Sequence, residues 1–561
     1  MNKYKKPLYE TEEVKNIKEL FKRSSVKYSN EKAFLVKVGG QYMPITYKQF
    51  YDDIMAFGAA LYDMGLYNTH IAVIGENRYE WAVTYAAVQC GLGVIVPLDK
   101  EMPDKDIPPL IETAELSALI YSQKKSSLAE SAQIKHKINM DTDFNELIKK
   151  GKALIETSKT PFPDLEPDAD KMSILLFTSG TTSASKAVML SQKNIITNII
   201  DMSKMVHVDK NDTLLSVLPL HHTYECTCGF LTPVYQGCTV AYCEGLRHIT
   251  KNLAEAQATI MLCVPLLVEN VYKKIWQQAR KNGKEKDLKT ALKISNFLLK
   301  FHIDLRKKLF ADIHKTLGGK LTRIISGAAG IDPEIARGMR AFGINLIQGY
   351  GLTECSPICT VNRFEEYKDD AAGLPMPNVE VWINNPSDDG IGEIAVKGNN
   401  VMLGYYKNKE ETDQVLLPDG TFLTGDLGFI DSDGYLHITG RKKNVIVTKN
   451  GKNIFPEELE TYLLRSPYIQ ECMVYGTDTS DGDTDVAVQV LPNMQEAEKH
   501  FGRIPSPDDL QALIENEVMA VNHKMQNYKR IGRTIIRHEE FAKTTTQKIK
   551  RHVEIKKGEP V

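Results

Sequence analysis

Short apolar runs recur in the N-terminal part of the chain: Ile71 to Ile74, Val94 to Pro97, Ala118 to Tyr121 and Ile174 to Phe177. Each has the length of a buried strand. Between the first two, Tyr79 to Cys90 reads as a helix that Gly91 and Gly93 stop. Strands joined by helices run parallel, and a parallel sheet has both of its faces covered. This spacing therefore predicts an α/β fold with doubly wound sheets. Upstream, residues 11–65 read as helical around the strand-like Phe34 to Val38, with a second helix starting at a plausible N-cap, Thr46, and ending near Gly65. Residues 122–170 are polar and rich in Lys, Ser and Asp, and read as a connection. At 561 residues the chain exceeds one hydrophobic core, so at least two domains are expected.

Beyond Phe177 come six small or hydroxyl residues, Thr178, Ser179, Gly180, Thr181, Thr182 and Ser183, then Lys186 and a second apolar strand, Val188 to Leu190. Such a stretch packs no core, but it bends tightly and turns amides and hydroxyls toward one anion, and Lys186 adds a mobile point charge. A Walker A loop needs Gly-Lys-Ser/Thr, whereas Ser185 precedes the lysine here and Ala187 follows it. The pattern points to a polyphosphate cradle, and an ordinary Ser/Thr surface loop is the plainer alternative.

Further candidates follow in order. Leu214 to Leu218 reads as a strand leading to His221 and His222; lacking a third ligand at a suitable spacing, the pair reads as pocket wall rather than a metal site. Lys273 to Lys320 holds 14 basic and 4 acidic residues interleaved with leucines and phenylalanines. That basic amphipathic stretch is either a solvated helix face or a surface for an anionic membrane. Arg323 to Ser326 runs into Gly327, Ala328 and Ala329, where a ligand could approach the backbone. In Gln348-Gly349-Tyr350-Gly351-Leu352-Thr353-Glu354, the glycines let the tyrosine ring lie against a base, and Glu354 offers a hard oxygen to Mg²⁺. From Gly373 short strands and turn signals predict a β-rich subdomain containing Thr424-Gly425-Asp426, a carboxylate placed for ribose hydroxyls. Gly440 to Asn444 is a charged break, dividing the chain into residues 1–440 and a small α+β domain, 441–561, whose hydroxyl-rich loop carries Lys548.

The 70 Lys and Arg against 72 Asp and Glu leave a net charge of −2, so no nucleic-acid partner is expected. Nine scattered cysteines fit reduced thiols, and the first residues lack the apolar centre of a signal peptide. The longest apolar run, Ile260 to Val268, is too short to span a bilayer. A cytoplasmic protein is expected, peripheral to the inner face of the membrane if the basic stretch engages it.

Taken in order, these motifs resemble the adenylate-forming (AMP-binding) superfamily, and within it long-chain fatty acyl-CoA ligases, from about Ile45 to Arg551. The resemblance implies an ATP-dependent ligase that joins a fatty acid to CoA through an acyl-adenylate. Rival implications are a medium-chain, aryl or bile acid, acyl carrier protein as acceptor, or an inactive binding protein. It assigns Thr178 to Thr182 and Lys186 to the ATP phosphates, His222 to the acyl pocket, and Gly327, Ala328, Gly349, Tyr350 and Gly351 to the adenine. Thr353 would lie near the α-phosphate, Glu354 would hold Mg²⁺, and Asp426 and Arg441 would take the ribose. Lys443 falls at the hinge, Gly451 at the CoA tunnel and Lys548 at the adenylation lysine. Three departures bear on rate: Ser183 and Ala187 replace usual glycines and should stiffen the phosphate loop, Gln192 replaces a common histidine, and Gln547 replaces the glycine before Lys548.

Overall fold

The computed structural model describes residues 3–178, 186–448, 451–478, 484–543 and 549–558. Among them the strands form two large sheets, of seven and nine strands, with smaller sheets toward the C-terminus. In the seven-stranded sheet, Gly93–Pro97, Thr69–Ile74, Leu116–Tyr121 and His136–Asn139 run parallel, as the helix-separated apolar runs predict. Met172–Thr178 joins their edge in parallel, then turns back through an antiparallel hairpin into Lys186–Ser191. Thr178 and Lys186, at the two ends of the phosphate-loop candidate, are therefore paired partners. In the second sheet, Thr213–Ser216, Ile260–Cys263, Arg323–Ser326 and Asn345–Gly351 lie parallel, so their C-terminal ends gather at one edge. Open α/β sheets bind ligands at such an edge.

Thr46 caps the helix Tyr47–Asp63 by accepting from the Gln49 amide, as the sequence predicts. That helix meets Phe144–Glu156 so closely that a Cβ on Gly151 would sit 1.7 Å from the Ala56 carbonyl oxygen. The segment 122–170 is accordingly no simple connection: it contains the helices Ser126–Ser131 and Phe144–Glu156 and the edge strand His136–Asn139. An edge strand needs one buried face at most, and His-Lys-Ile-Asn carries too little apolar pattern to announce it.

Downstream of Gly373, Val379–Asn384, Gly392–Gly398, Phe422–Ile430 and Leu436–Arg441 make the antiparallel sheet expected there. The last part builds a separate core: Ile446, Leu459, Val474, Val488 and Ile514 pack with one another around the sheet Ile469–Asp478, Thr484–Pro492 and Arg533–Ile536. It touches the larger part through Arg465, whose Nε lies 2.8 Å from Asp332 Oδ2. All nine cysteines are without disulfides. No helix of the described residues is long and apolar enough to cross a membrane.

Candidate functional site

Antiparallel register sets the first pair. Asp426 on Phe422–Ile430 lies opposite Arg441 on Leu436–Arg441, and Arg441 Nε meets Asp426 Oδ1 at 2.6 Å. Gly425, at φ +70°, turns the chain just before the carboxylate, and the Thr424 hydroxyl accepts from the Asp426 amide at 3.1 Å. The buried Tyr350 donates its hydroxyl to Asp426 Oδ2 at 2.8 Å. Burial pushes the Tyr350 phenol up, and the Asp426 charge adds to this, so it stays a donor. The strand Asn345–Gly351 thus joins Tyr350 to the carboxylate, while Gly351 lets the backbone pass: a Cβ there would lie 1.7 Å from the Pro357 carbonyl oxygen.

Thr353 and Glu354 follow in the single 3₁₀ turn Thr353–Cys355. Asn198, on the helix Gln192–Met205, holds the backbone behind it with bonds to the Cys355 and Ile358 carbonyls. The Glu354 carbonyl accepts from the Met402 amide, and its carboxylate Oε1 accepts from the Tyr405 hydroxyl at 2.9 Å. Lys186 Nζ lies 4.8 Å from the centre of the Tyr405 ring and pairs with Glu411. Tyr405 and Glu411 are site residues that sequence reasoning misses. Tyr405 arrives on Gly404–Tyr405, a two-residue edge strand paired with Val188 and Met189, and two residues carry no periodicity.

Small residues line the adjoining wall. A Cβ on Gly327 would lie 2.8 Å from the Tyr224 ring, whose hydroxyl donates to the Ile325 carbonyl. Ala328 follows, exposed and at φ +71°. The His221 and His222 rings lie 4.0 Å apart, tilted at 50°, at the end of the loop that Asn77 ties down through Leu218 and Leu220. Burial holds the His221 imidazole well below its usual value, helped by His222 and Lys100, so its 3.6 Å approach to Asp99 is no ion pair. Next to them Glu225 is fully buried, and that burial pushes its carboxyl up to about 8. Its protonated form is therefore favoured at pH 7.

Lys443 sits in the 3₁₀ turn Lys442–Asn444. Partial burial of its ammonium, then the charges of Arg441 and Lys186, push it down to about 8, although the residue as a whole is exposed. Gly451, at φ +70°, is exposed with open space around its Cα. The structure therefore brings Tyr350, Asp426 and Arg441 together, sets Lys186, with Thr178 bonded to its carbonyl, and Glu354 about Tyr405, and places Lys443 near Arg441, Lys186 and Asp426. Ser179, Gly180, Thr181, Thr182 and Lys548 lie outside the described residues.

Ala187 corrects one expectation. It is buried in the hairpin ladder opposite Phe177, in extended backbone that any residue adopts, so the missing glycine does not stiffen the loop there. Gln192 is also structural: its amide accepts from the Ile17 backbone and donates to the Gln89 carbonyl.

Residues 21–406 match the family model of AMP-binding enzymes, and 443–557 match the AMP-binding enzyme C-terminal domain. Among curated proteins, the long-chain-fatty-acid–CoA ligase 5 of Rattus norvegicus is 29% identical over 518 residues, 84% of this chain and 74% of the relative. The long-chain-fatty-acid–CoA ligase FadD15 of Mycobacterium tuberculosis is 26% identical, covering 78% and 76%. A crystal structure of an anthranilate CoA ligase with anthranoyl-AMP aligns at TM-score 0.77 and 19% identity, over 99% of both chains. ATP-bound MatB from Rhodopseudomonas palustris aligns at 0.76 and 22%, over 97% and 99%. With a family model spanning most of its length, the chain belongs to the AMP-binding enzymes.

Proposed function

We propose that this AMP-binding enzyme joins a fatty acid to CoA, with ATP converted to AMP and pyrophosphate. The observation that carries the reading is a pair of clusters four residues apart along the chain, Tyr350 with Asp426 and Arg441, and Glu354 with Tyr405 and Lys186. Tyr350 offers a ring to the base, Asp426 and Arg441 beside it offer charged groups to the ribose hydroxyls, and Glu354 and Lys186 offer a hard carboxylate and an ammonium to the phosphates. A nucleotide presents base, ribose and phosphates in that order.

A carboxylate is a poor electrophile. Its oxygen attacks the α-phosphorus, pyrophosphate leaves, and a mixed anhydride with AMP remains. The CoA thiol, losing its proton, then attacks the acyl carbon and AMP departs with the bonding pair. Charge grows on phosphate oxygens in the first step, and in this reading Lys186, Thr353, the loop 178–182 and Lys548 hold it. Mg²⁺ fits Glu354: such ions commonly take one or two carboxylates plus substrate phosphates. Glu354 Oε1 is already oriented by Tyr405. When bound, the ion would neutralise phosphate charge. Glu225, its carboxyl pushed up by burial, would add little charge beside Tyr224 on the side this reading gives to the acyl chain.

In the same reading, the division falls near residue 440, and the smaller domain turns about Lys443 so that Lys548 and Gly451 take turns at the cleft. The acid is long-chain. Long acids partition into bilayers, so the enzyme is cytoplasmic and touches an anionic leaflet peripherally. Acid-dependent ATP–pyrophosphate exchange, followed by thioester formation across acids from acetate to C18, tests the proposal. Turnover should peak between about C12 and C18, because each buried methylene contributes about 0.8 kcal/mol. No exchange with any acid would refute the ligase reading, and a maximum at acetate or a benzoate would refute the long-chain part.

A further inference from the structure

The helix Glu285–Leu299 is apolar on two sides. At about 100° per residue, Leu288, Leu292, Ser295 and Leu299 share one side. The fold covers that side: Ser295 is buried and the leucines are half-buried. The opposite side carries Ile294 and Phe297, followed past the helix end by Phe301, and these are 48%, 59% and 61% exposed. The two phenylalanine rings meet edge to face at 5.2 Å. Ile303, Leu305 and Leu309 prolong the exposed apolar surface. Lys286, Lys293 and Lys300, each two turns from the next, run as a stripe beside Phe297, and Lys307 and Lys308 extend it. Among the described residues, the ion pairs formed by this stretch are Lys289–Glu285 and Arg306–Asp304, which leave the stripe's charge unneutralised.

Charge decides what covers this face. The centre of a protein–protein interface is depleted in lysine, and a second copy would bring the same positive stripe against it. An anionic lipid surface satisfies both halves, with rings at the acyl boundary and ammoniums among the headgroup phosphates. We propose that the face formed by Ile294, Phe297, Phe301 and the lysine stripe docks the enzyme on an anionic membrane. The proposal rests on the ligase reading only for its purpose, which is to collect a membrane-dissolved acid. The helical insertion is well placed for that. It begins at Pro265, directly after the strand Ile260–Cys263, and Cys263 lies near Tyr224 and Glu225 on the acyl wall.

The experiment is co-sedimentation of the full chain with vesicles of phosphatidylglycerol and phosphatidylcholine, against phosphatidylcholine alone, at low and high salt. Wild type should sediment with the anionic vesicles and be released by salt. Phe297→Ser with Phe301→Ser, and separately Lys293→Glu with Lys300→Glu, should each lower partitioning roughly tenfold or more. These four side chains are exposed, so the melting temperature should not move. Turnover of a freely soluble acid should also match wild type, which separates failure of the surface from failure of the ligase reading. Equal sedimentation with neutral vesicles, or variants that partition as wild type does, would overturn the proposal. So would a wild-type dimer that the phenylalanine variant splits, because the face would then join two copies.

Discussion

Replacing Asp426 by asparagine separates a binding role from a structural one. The carboxylate is 6% exposed and accepts from Tyr350 at 2.8 Å and from Arg441 at 2.6 Å. The asparagine side chain would keep the shape but lose the charge and one acceptor. A hydrogen bond to an ionised group contributes about 1.5–3 kcal/mol, against about 0.5–1.5 for a neutral one. Two ribose hydroxyls would therefore lose roughly 2–3 kcal/mol together, a weakening of roughly 30- to 150-fold in Kd. Folding should lose less, about 1 kcal/mol, because the amide oxygen still accepts from Tyr350 and the half-exposed Arg441 can turn to water. Calorimetric titration with AMP reads the first quantity, and urea unfolding reads the second. Tyr350→Phe is the matching control: it keeps the ring for the base and removes only the hydroxyl, so affinity should fall no more than a few-fold. Wild-type affinity in Asp426→Asn, or an equal loss in Tyr350→Phe, would reduce Asp426 to a buried partner of the tyrosine.

Gly151→Ala should destabilise the larger domain by about 3 kcal/mol in chemical unfolding, because its Cβ would strike the Ala56 carbonyl where two helices cross. The Lys443 ammonium is pushed down to about 8 from an ordinary 10.5, so between those values the unfolded chain binds more protons than the folded one. The cost of its charge is thus fully present below pH 8 and relieved as pH rises toward 10.5; Lys443→Met should flatten that rise in stability, followed by urea midpoints across the window. Lys548→Ala should slow adenylate formation on the order of a hundredfold, the effect of one charge-assisted contact in the transition state, yet spare thioester formation from supplied acyl-AMP. Equal losses in the two half-reactions would remove Lys548 from the first.

What the sequence reveals follows from how local the physics is. Thr46 announces its helix because a cap is a contact over three residues, and the apolar runs at Ile71, Val94 and Ala118 announce parallel strands because burial on both faces leaves no polar position. The Asp426–Arg441 pair is legible as two motifs, although its geometry comes from strand register. Tyr405 and Glu411 are not legible. Their partners, Glu354 and Lys186, lie 51 and 225 residues away in sequence, and nothing in Gly-Tyr-Tyr-Lys distinguishes a site residue from a surface turn. His136–Asn139 is lost for a different reason: it is a polar edge strand whose pairing with Leu116–Tyr121 supplies what its pattern lacks.

The departures from the family's usual residues show how position changes the meaning of a substitution. An alanine for glycine is costly only where the backbone needs positive φ or where a Cβ would collide. Ala187 meets neither condition, since it lies in the ladder opposite Phe177 and its methyl packs into the core beside Leu175. Gly351 and Gly327 meet the second condition and are retained. Ala328 meets the first, at φ +71°, but it is exposed and carries only a methyl, so its strain is that of a single left-handed residue, of order 1–3 kcal/mol, borne next to Gly327. Gln192 exchanges a histidine for a side chain that donates and accepts at once, and it uses both capacities to tie Ile17 to Gln89 behind the sheet. The substitutions that sequence comparison marks as threats to the phosphate loop thus fall, at 187 and 192, on the scaffold that holds the loop's strands. At the described positions the groups suited to a nucleotide, Lys186, Glu354, Asp426 and Arg441, are present and held by their partners.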